Sequence, residues 1–134
     1  MPIALAGLIG AALDFIGTFA FGLAASLLVA ALVAAAGGSE ADIRAMLESG
    51  GWQGFSVAIG ATFTGVGGFI AARLAAGREL AAALVAGALA LATGEVMVAM
   101  SDGYEAWMRI AGGFVAIPAA LFGGWVRKIQ SGSG

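Results

Sequence analysis

The chain has 134 residues, of which 61% are hydrophobic and only 10% are charged, and its formal net charge is −2. A soluble domain needs about 25% charged residues to cover its surface, so this composition excludes an ordinary soluble fold and predicts an all-α polytopic membrane protein. The absence of Cys and His excludes disulfides, thiolate nucleophiles, imidazole bases and the usual ligands of zinc, haem and iron–sulfur clusters. We therefore expect no cofactor, no metal and no enzymatic activity, and the lack of a basic patch argues against a nucleic-acid partner.

The first apolar run lies within residues 3–36, and we predict a membrane span over about 8–36. A straight helix over the whole run would be about 51 Å long, whereas the hydrocarbon core of a bilayer is about 30 Å thick. Either the helix tilts and protrudes, or residues 2–13 lie near the interface, with Asp14 at the mouth of the span. Gly37 and the glycine after it are predicted to end the helix.

Residues 39–50 predict a short amphipathic helix between the first and second spans. Ser39, followed three residues later by Asp42, resembles a capping box. Ile43, Met46 and Leu47 fall on one face, opposite charged side chains, which is typical of a helix lying on the membrane surface. A lid over a pore is the alternative interpretation.

Three further spans are predicted, over about 52–76, 79–100 and 104–126. Trp107 and Trp125 are about 27 Å apart along the last of these helices, as expected of two aromatic belts on either side of one hydrocarbon slab. Pro118 is expected to kink that helix. Residues 1–130 are thus predicted to form a single four-helix domain, and residues 131–134 a flexible tail.

The distribution of Lys and Arg predicts the orientation of the chain. One side of the predicted membrane carries Arg73, Arg78, Arg127 and Lys128, and the other carries Arg44 and Arg109. The side with more positive residues is predicted to be cytoplasmic, which places both termini inside the cell membrane. Insertion in both orientations, with an antiparallel homodimer, is the alternative.

Small residues recur at four-residue spacing in the predicted spans, and glycines at these positions are candidates for helix packing. The glycines selected are Gly22, Gly60, Gly68, Gly112 and Gly124. Such residues allow helix backbones to approach closely where lipid offers no hydrophobic driving force for association. Packing among the four helices is the simpler interpretation; a homo-oligomer interface or contact with other membrane subunits is the alternative.

Two acidic residues within the apolar runs, Asp14 and Glu95, are the candidates for chemistry. A carboxylate in mid-bilayer costs about 2.5–3.5 kcal/mol, so it persists when it is paired, protonated, or facing water or a functional site. We interpret both as candidates for proton transport, at depths too different for them to share a proton. In the alternative interpretation, Asp14 lies at headgroup level and Glu95 pairs with Arg109.

Hydroxyl side chains are predicted to line a polar path between the helices. The candidate hydroxyls belong to Thr18, Ser26, Ser56, Thr62, Thr64 and Thr93, and Gln53 adds an amide. The path and the two acids favour a small transporter or channel, coupled to protons or ions and forming a homo-oligomer. The small-residue rows and short loops favour instead a non-catalytic subunit or scaffold that packs with partner helices.

The segment ALDFIGT, residues 12–18, resembles the first-helix segment of the small multidrug resistance transporters. In that family an acidic residue before a Gly-Thr pair exchanges protons for cationic substrates, and the resemblance implies such a role for Asp14. The family has Glu at this position, a shorter first loop, and aromatic residues in its third helix that this chain lacks. The resemblance covers seven residues, and we assign no family on it.

Overall fold

The computed structural model describes residues 1–100 and 106–132, and five helices form the regular secondary structure of these residues. They are α1 (Ile3–Ala35), α2 (Glu40–Leu47), α3 (Gly50–Leu74), α4 (Glu79–Ala99) and α5 (Ala106–Ser131). All except the short α2 are long and apolar enough to cross a membrane. The predicted class is confirmed: an all-α membrane protein with four candidate spans and a short helix between the first two.

The helix ends differ from the predicted ones by a few residues. α1 begins at Ile3 instead of about residue 8, and α3 begins at Gly50 because the Ser49 hydroxyl accepts a hydrogen bond from the Trp52 backbone N–H. α5 continues to Ser131, which was predicted to belong to the tail. The basic residues in its last turns interact favourably with the helix dipole. Residues 101–105 and 133–134, which include the predicted start of the fourth span, lie outside the described residues.

Two glycines with positive φ terminate helices at the turns. Gly37 has φ +79° after α1, and Gly77 has φ +82° after α3. This left-handed conformation is open to glycine without the steric cost that a Cβ would add. The turn at Gly37 confirms the predicted end of the first helix and leads directly into α2.

The predicted capping box at the start of α2 is confirmed. The Ser39 N–H donates to Asp42 Oδ2 at 2.7 Å, and the Asp42 N–H donates to Ser39 Oγ at 3.4 Å. These hydrogen bonds satisfy backbone donors that a helix N-terminus otherwise leaves open. The Ser39 hydroxyl also donates to the Asp42 carboxylate.

The capping carboxylate makes the order of α2 dependent on pH. Hydrogen bonds from the Ser39 side chain and backbone lower the pKa of Asp42 below its ordinary value. A group whose pKa is lower in the folded state stabilises that state above its unfolded pKa, here about 3.9, and the stabilisation is lost as pH falls through the lowered value. We expect α2 to lose helical order below about pH 4, as measured by the ¹³Cα chemical shifts of residues 40–47 in micelles. An Asp42→Asn variant that showed the same transition would contradict this assignment, because its cap would no longer contain a carboxylate.

The four long helices pack in a ring, in which α1 contacts α3, α3 contacts α5, α5 contacts α4, and α4 contacts α1. A further contact joins α3 to α4 across the ring, so that α1 and α5 lie opposite one another in the described part of the chain. α5 runs without interruption through Pro118.

Close packing is confined to one half of the bundle along its long axis, the half that holds the N-terminus. We call it the packed half. Apart from Gln53, the buried residues of the described helices lie there, within 3–14 of α1, 64–74 of α3, 79–87 of α4 and 120–131 of α5. Nearly all are Ala or Gly, and a central cluster consists of Ala6, Ala71, Ala75, Ala82 and Ala86. Small side chains of this kind bring helix backbones into contact and allow dispersion forces to hold them together.

Three glycine positions show how closely the backbones approach. A Cβ atom on Gly10 would overlap the backbone of Gly67, and one on Gly68 would overlap the backbone of Ala120. A Cβ on Gly123 would likewise overlap the backbone of Gly65. These contacts close the packed half on the α1–α3 and α3–α5 sides of the ring.

The five glycines predicted to pack helices divide into two groups. Gly68 lies against Ala120 of α5, and a Cβ on Gly124 would lie 2.5 Å from the Ala83 Cβ of α4. At the remaining three, Gly22, Gly60 and Gly112, the position of a Cβ has no atom within 4 Å. For these three, the prediction of packing within the chain is wrong, because the helices diverge at their level and the glycines line a cavity.

Candidate functional site: a cavity between the spanning helices

In the half of the bundle away from the N-terminus, the four long helices diverge and surround a cavity of about 520 Å³. Its walls are formed by residues within 14–26 of α1, 52–64 of α3, 90–98 of α4 and 108–116 of α5. This volume lies within the range of about 300–1,000 Å³ that is typical of small-molecule sites. The cavity ends where the packed half begins.

Thr62 and Gln53 lie outside the lining of this cavity, and the remaining polar and acidic residues predicted from the sequence to belong to a transport path line it. The residues are Asp14, Thr18, Ser26, Ser56, Thr64, Thr93 and Glu95. They come from α1, α3 and α4, and the chain positions of the first and last are 81 residues apart. The fold therefore brings these candidates together in one place.

Asp14 is 7% exposed and lies where the cavity meets the packed half. The Thr18 hydroxyl, one turn further along α1, donates to Asp14 Oδ1 at 3.2 Å. The Thr64 hydroxyl of α3 donates to Asp14 Oδ2 at 3.1 Å. The carboxylate therefore has a hydroxyl partner on each oxygen and connects α1 to α3.

Thr64 has two possible acceptors for a single hydroxyl hydrogen. Its Oγ1 atom lies 3.1 Å from Asp14 Oδ2 and 2.8 Å from the backbone carbonyl oxygen of Gly60, one turn earlier in α3. A hydroxyl has one hydrogen and two lone pairs, so the two bonds can be made only in alternation. When the hydrogen points to Gly60, the Thr64 oxygen can accept a hydrogen bond from a protonated Asp14 or coordinate a cation beside the carboxylate.

Glu95 forms an ion pair with Arg109 across the α4–α5 wall of the cavity. Arg109 Nη2 donates to Glu95 Oε2 at 2.8 Å, and the two side chains are 53% and 43% exposed, respectively. The alternative interpretation of Glu95, as the partner of Arg109, is confirmed. Because the pair is neutral as a whole, it leaves Asp14 as the unpaired charge-bearing group among the described lining residues.

The two acids lie closer in depth than the sequence indicated. Gly7 of α1 lies against Ala86 of α4, which gives a common reference level for the two helices. From there Asp14 is seven residues along α1, about 10.5 Å, and Glu95 is nine residues along α4, about 13.5 Å. By helical rise, the two acids thus differ in depth by only about 3 Å. Each carboxylate nevertheless has its own hydrogen-bond partners.

Asp14 lies well inside the bundle instead of at its edge. Its partner Thr64 precedes the end of α3 at Leu74 by ten residues, about 15 Å of helix. That distance is half the thickness of a hydrocarbon core of about 30 Å. The geometry supports a position within the span over one at its mouth.

The other hydroxyls of the cavity wall donate to carbonyl groups of their own helices. Ser26 donates to Gly22 at 2.9 Å, Ser56 to Trp52 at 3.0 Å, and Thr93 to Leu89 at 3.0 Å. With their hydrogens engaged, these oxygens can present only lone pairs to a ligand. The polar part of the wall is therefore rich in acceptors.

Aromatic side chains form part of the wall, and these were missed as site residues in the sequence. Phe15 and Phe19 of α1 stack with their ring centroids 6.2 Å apart, and Trp52 of α3 also lines the cavity. Phe15 and Phe19 follow directly after Asp14 and Thr18, so four-residue spacing alone could have placed them on the same side of α1. Trp52 carried no comparable signal, because its position depends on how α3 packs against α1.

In the described residues, no three acidic, His or Cys side chains come together as a ligand set for a metal ion. The fold and the cavity define a small helical membrane protein with an internal, acceptor-rich site. Comparison with protein families, curated proteins and solved structures finds no significant match.

Proposed function

We propose that this protein is a small integral membrane transporter that binds its solute in the cavity and is coupled to protons or ions through Asp14. The observation that carries the proposal is that both predicted acidic residues and five of the six predicted hydroxyl residues line one cavity. Intramembrane ionisable residues of this kind mark substrate and ion pathways when they face a cavity between helices. We assign the protein no enzymatic activity.

The closed end of the cavity favours a transporter over an open channel. A channel needs a continuous passage, whereas the backbone contacts of Gly10 with Gly67 and of Gly68 with Ala120 close the packed half. A site near the middle of the bundle that is closed towards one end is the arrangement expected of alternating access. Transport would then require the packed half to open while the other half closes.

The charge distribution supports an orientation for this cavity. The basic residues Arg73, Arg78, Arg127 and Lys128 belong to the end of the bundle with the packed half. Since Lys and Arg favour the cytoplasmic side, we propose that both termini are cytoplasmic in the cell membrane and that the cavity opens to the outside.

Exposed apolar side chains on α1 support a homo-oligomer within the membrane. Ile16, Leu27 and Leu32 are each more than 60% exposed in the single chain. Lipid or another copy of the chain can cover such a surface. The same surface is the observation that favours the alternative function, a non-catalytic subunit that packs with partner helices.

A substitution that fills the cavity distinguishes a transporter from a non-catalytic subunit. Gly60 lines the cavity with nothing within 4 Å of its Cβ position, and Gly54 has the same free space but lies outside the cavity lining. We expect Gly60→Phe to reduce proton or Na⁺ flux into proteoliposomes at least about tenfold, because the ring occupies the solute site. Gly54→Phe is the matched control, and its flux should stay within about twofold of wild type.

Flux is measured with an internal pH dye and with radioactive Na⁺, under an imposed gradient of each ion. A wild-type protein that folds and inserts but shows no flux under either gradient would favour the subunit or scaffold. Equal loss in the Gly60 and Gly54 variants would also contradict the proposal, because the cavity would then not be the route.

A further inference from the structure

The oxygen atoms around Asp14 form a more elaborate site than a proton alone requires. A proton binds one carboxylate oxygen, whereas here both Asp14 oxygens face a hydroxyl, from Thr18 at 3.2 Å and from Thr64 at 3.1 Å. The three side chains together offer four oxygen atoms from two helices. Oxygen atoms of carboxylate and neutral groups are the ligands that hard cations prefer.

The charge of the site selects for a monovalent ion. An ionised carboxylate in hydrocarbon is costly and becomes acceptable when one positive charge neutralises it. The other charged groups of the described lining, Glu95 and Arg109, already neutralise each other in an ion pair. A divalent ion at Asp14 would therefore leave an uncompensated positive charge, and the negative charge of the carboxylate would repel an anion.

Thr64 can change from donor to ligand without losing a hydrogen bond. With its hydrogen turned to the Gly60 carbonyl, 2.8 Å away, its lone pairs become available on the Asp14 side. Thr18 can do the same towards the carbonyl one turn earlier in α1, a geometry that Ser26 and Ser56 adopt in this structure. Both hydroxyls can thus serve either the empty carboxylate or a bound cation.

We propose that Asp14, Thr18 and Thr64 form a binding site for a monovalent alkali cation where the cavity meets the packed half. This inference rests on the proposed transport function and identifies the ion to which transport is coupled. The site is reached from the cavity, because all three residues line it. The bound cation connects α1 to α3 and so stabilises the arrangement in which the packed half is closed.

Thermal unfolding of the purified protein in detergent tests the site directly. The midpoint is compared in NaCl, KCl and choline chloride at equal ionic strength and pH. We expect one of the alkali chlorides to raise the midpoint saturably, by about 4 °C at ten times its dissociation constant, relative to choline. Direct binding of radioactive Na⁺ provides a second measurement that does not depend on unfolding.

Substitutions of the hydroxyls identify the ligands. Thr64→Val and Asp14→Asn should abolish the shift, whereas Thr64→Ser, which keeps the hydroxyl, should retain it. Thr62→Val is the matched control, since Thr62 lies in the same helix as Thr64 but outside the cavity lining, and its hydroxyl donates to a carbonyl of its own helix. If Thr64→Val does not fold, Thr18→Val is used instead, and loss of Na⁺ binding in that variant would identify the Thr18 hydroxyl as a ligand.

Identical midpoints in alkali and choline chlorides would overturn the inference, as would a shift that persists in Asp14→Asn. Proton-driven flux without any alkali effect would leave the proposed transport function intact and exclude the cation site. A cation-dependent shift of the midpoint in a protein without flux would support the cation site and contradict the proposed transport function.

Discussion

Gly68→Ala is expected to lower the free energy of unfolding by about 1–3 kcal/mol, the usual cost of overpacking a close contact. The added Cβ would lie 2.6 Å from the Ala120 Cα and 2.7 Å from its carbonyl carbon. Backbone atoms cannot rotate away as a flexible side chain can, so α3 and α5 must separate. Separation weakens the dispersion contacts that hold the packed half together.

Gly54→Ala is the matched control for this prediction. Gly54 lies in the same helix, and the position of its Cβ has no atom within 4 Å. Ala has a higher helix propensity than Gly by about 1 kcal/mol, so this variant should be as stable as wild type or slightly more stable. Reversible denaturation in mixed micelles measures both variants. Equal stability of the two would mean that the α3–α5 contact is not as close as described.

Asp14→Asn is expected to reduce coupled flux at least about thirtyfold, whereas Glu95→Gln should reduce it about fivefold at most. Asn retains the shape and the hydrogen-bonding capacity of Asp14 but cannot carry the charge that a proton or cation neutralises. Glu95 instead belongs to a half-exposed ion pair, and Gln can still accept a hydrogen bond from Arg109. The difference follows from the partners of the two acids, because both line the same cavity.

The measurement is the initial rate of ion-driven flux into proteoliposomes that contain equal amounts of folded protein. Thr62→Val serves as a control for a change of Thr to Val outside the cavity lining. If Glu95→Gln abolished flux while Asp14→Asn retained it, the roles assigned to the two acids would have to be exchanged.

Hydropathy predicted the class of fold and the approximate helix boundaries because a bilayer requires long apolar segments with internally satisfied backbones. Local chemistry predicted the cap at Ser39 and the turn at Gly37, since both depend on a few neighbouring residues. The helix ends at Ile3 and Ser131 could not be predicted from hydropathy. Apolar or basic residues at a terminus can extend a helix beyond the part that is needed to cross the hydrocarbon core.

The division of the bundle into a packed half and a cavity could not be predicted from residue spacing. Gly60 and Gly68 belong to one row of small residues in α3, yet Gly60 lines the cavity and Gly68 lies against Ala120. Which of them meets another helix depends on where the neighbouring helices diverge, and this is a property of the whole ring. The similar depths of Asp14 and Glu95 were missed for the same reason, because the alignment of Gly7 with Ala86 sets them.

Pro118 of α5 has a consequence for movement. It stands between Ala116, which lines the cavity, and Ala120, which is buried in the packed half. Proline has no N–H, so the carbonyl of Phe114 lacks the donor that any other residue would supply one turn later. One rung of the helical ladder is therefore missing at this border. Because a helix bends more easily where a hydrogen bond is lacking, we expect bending of α5 to be concentrated at this border, between the part that carries Arg109 and the part that belongs to the packed half.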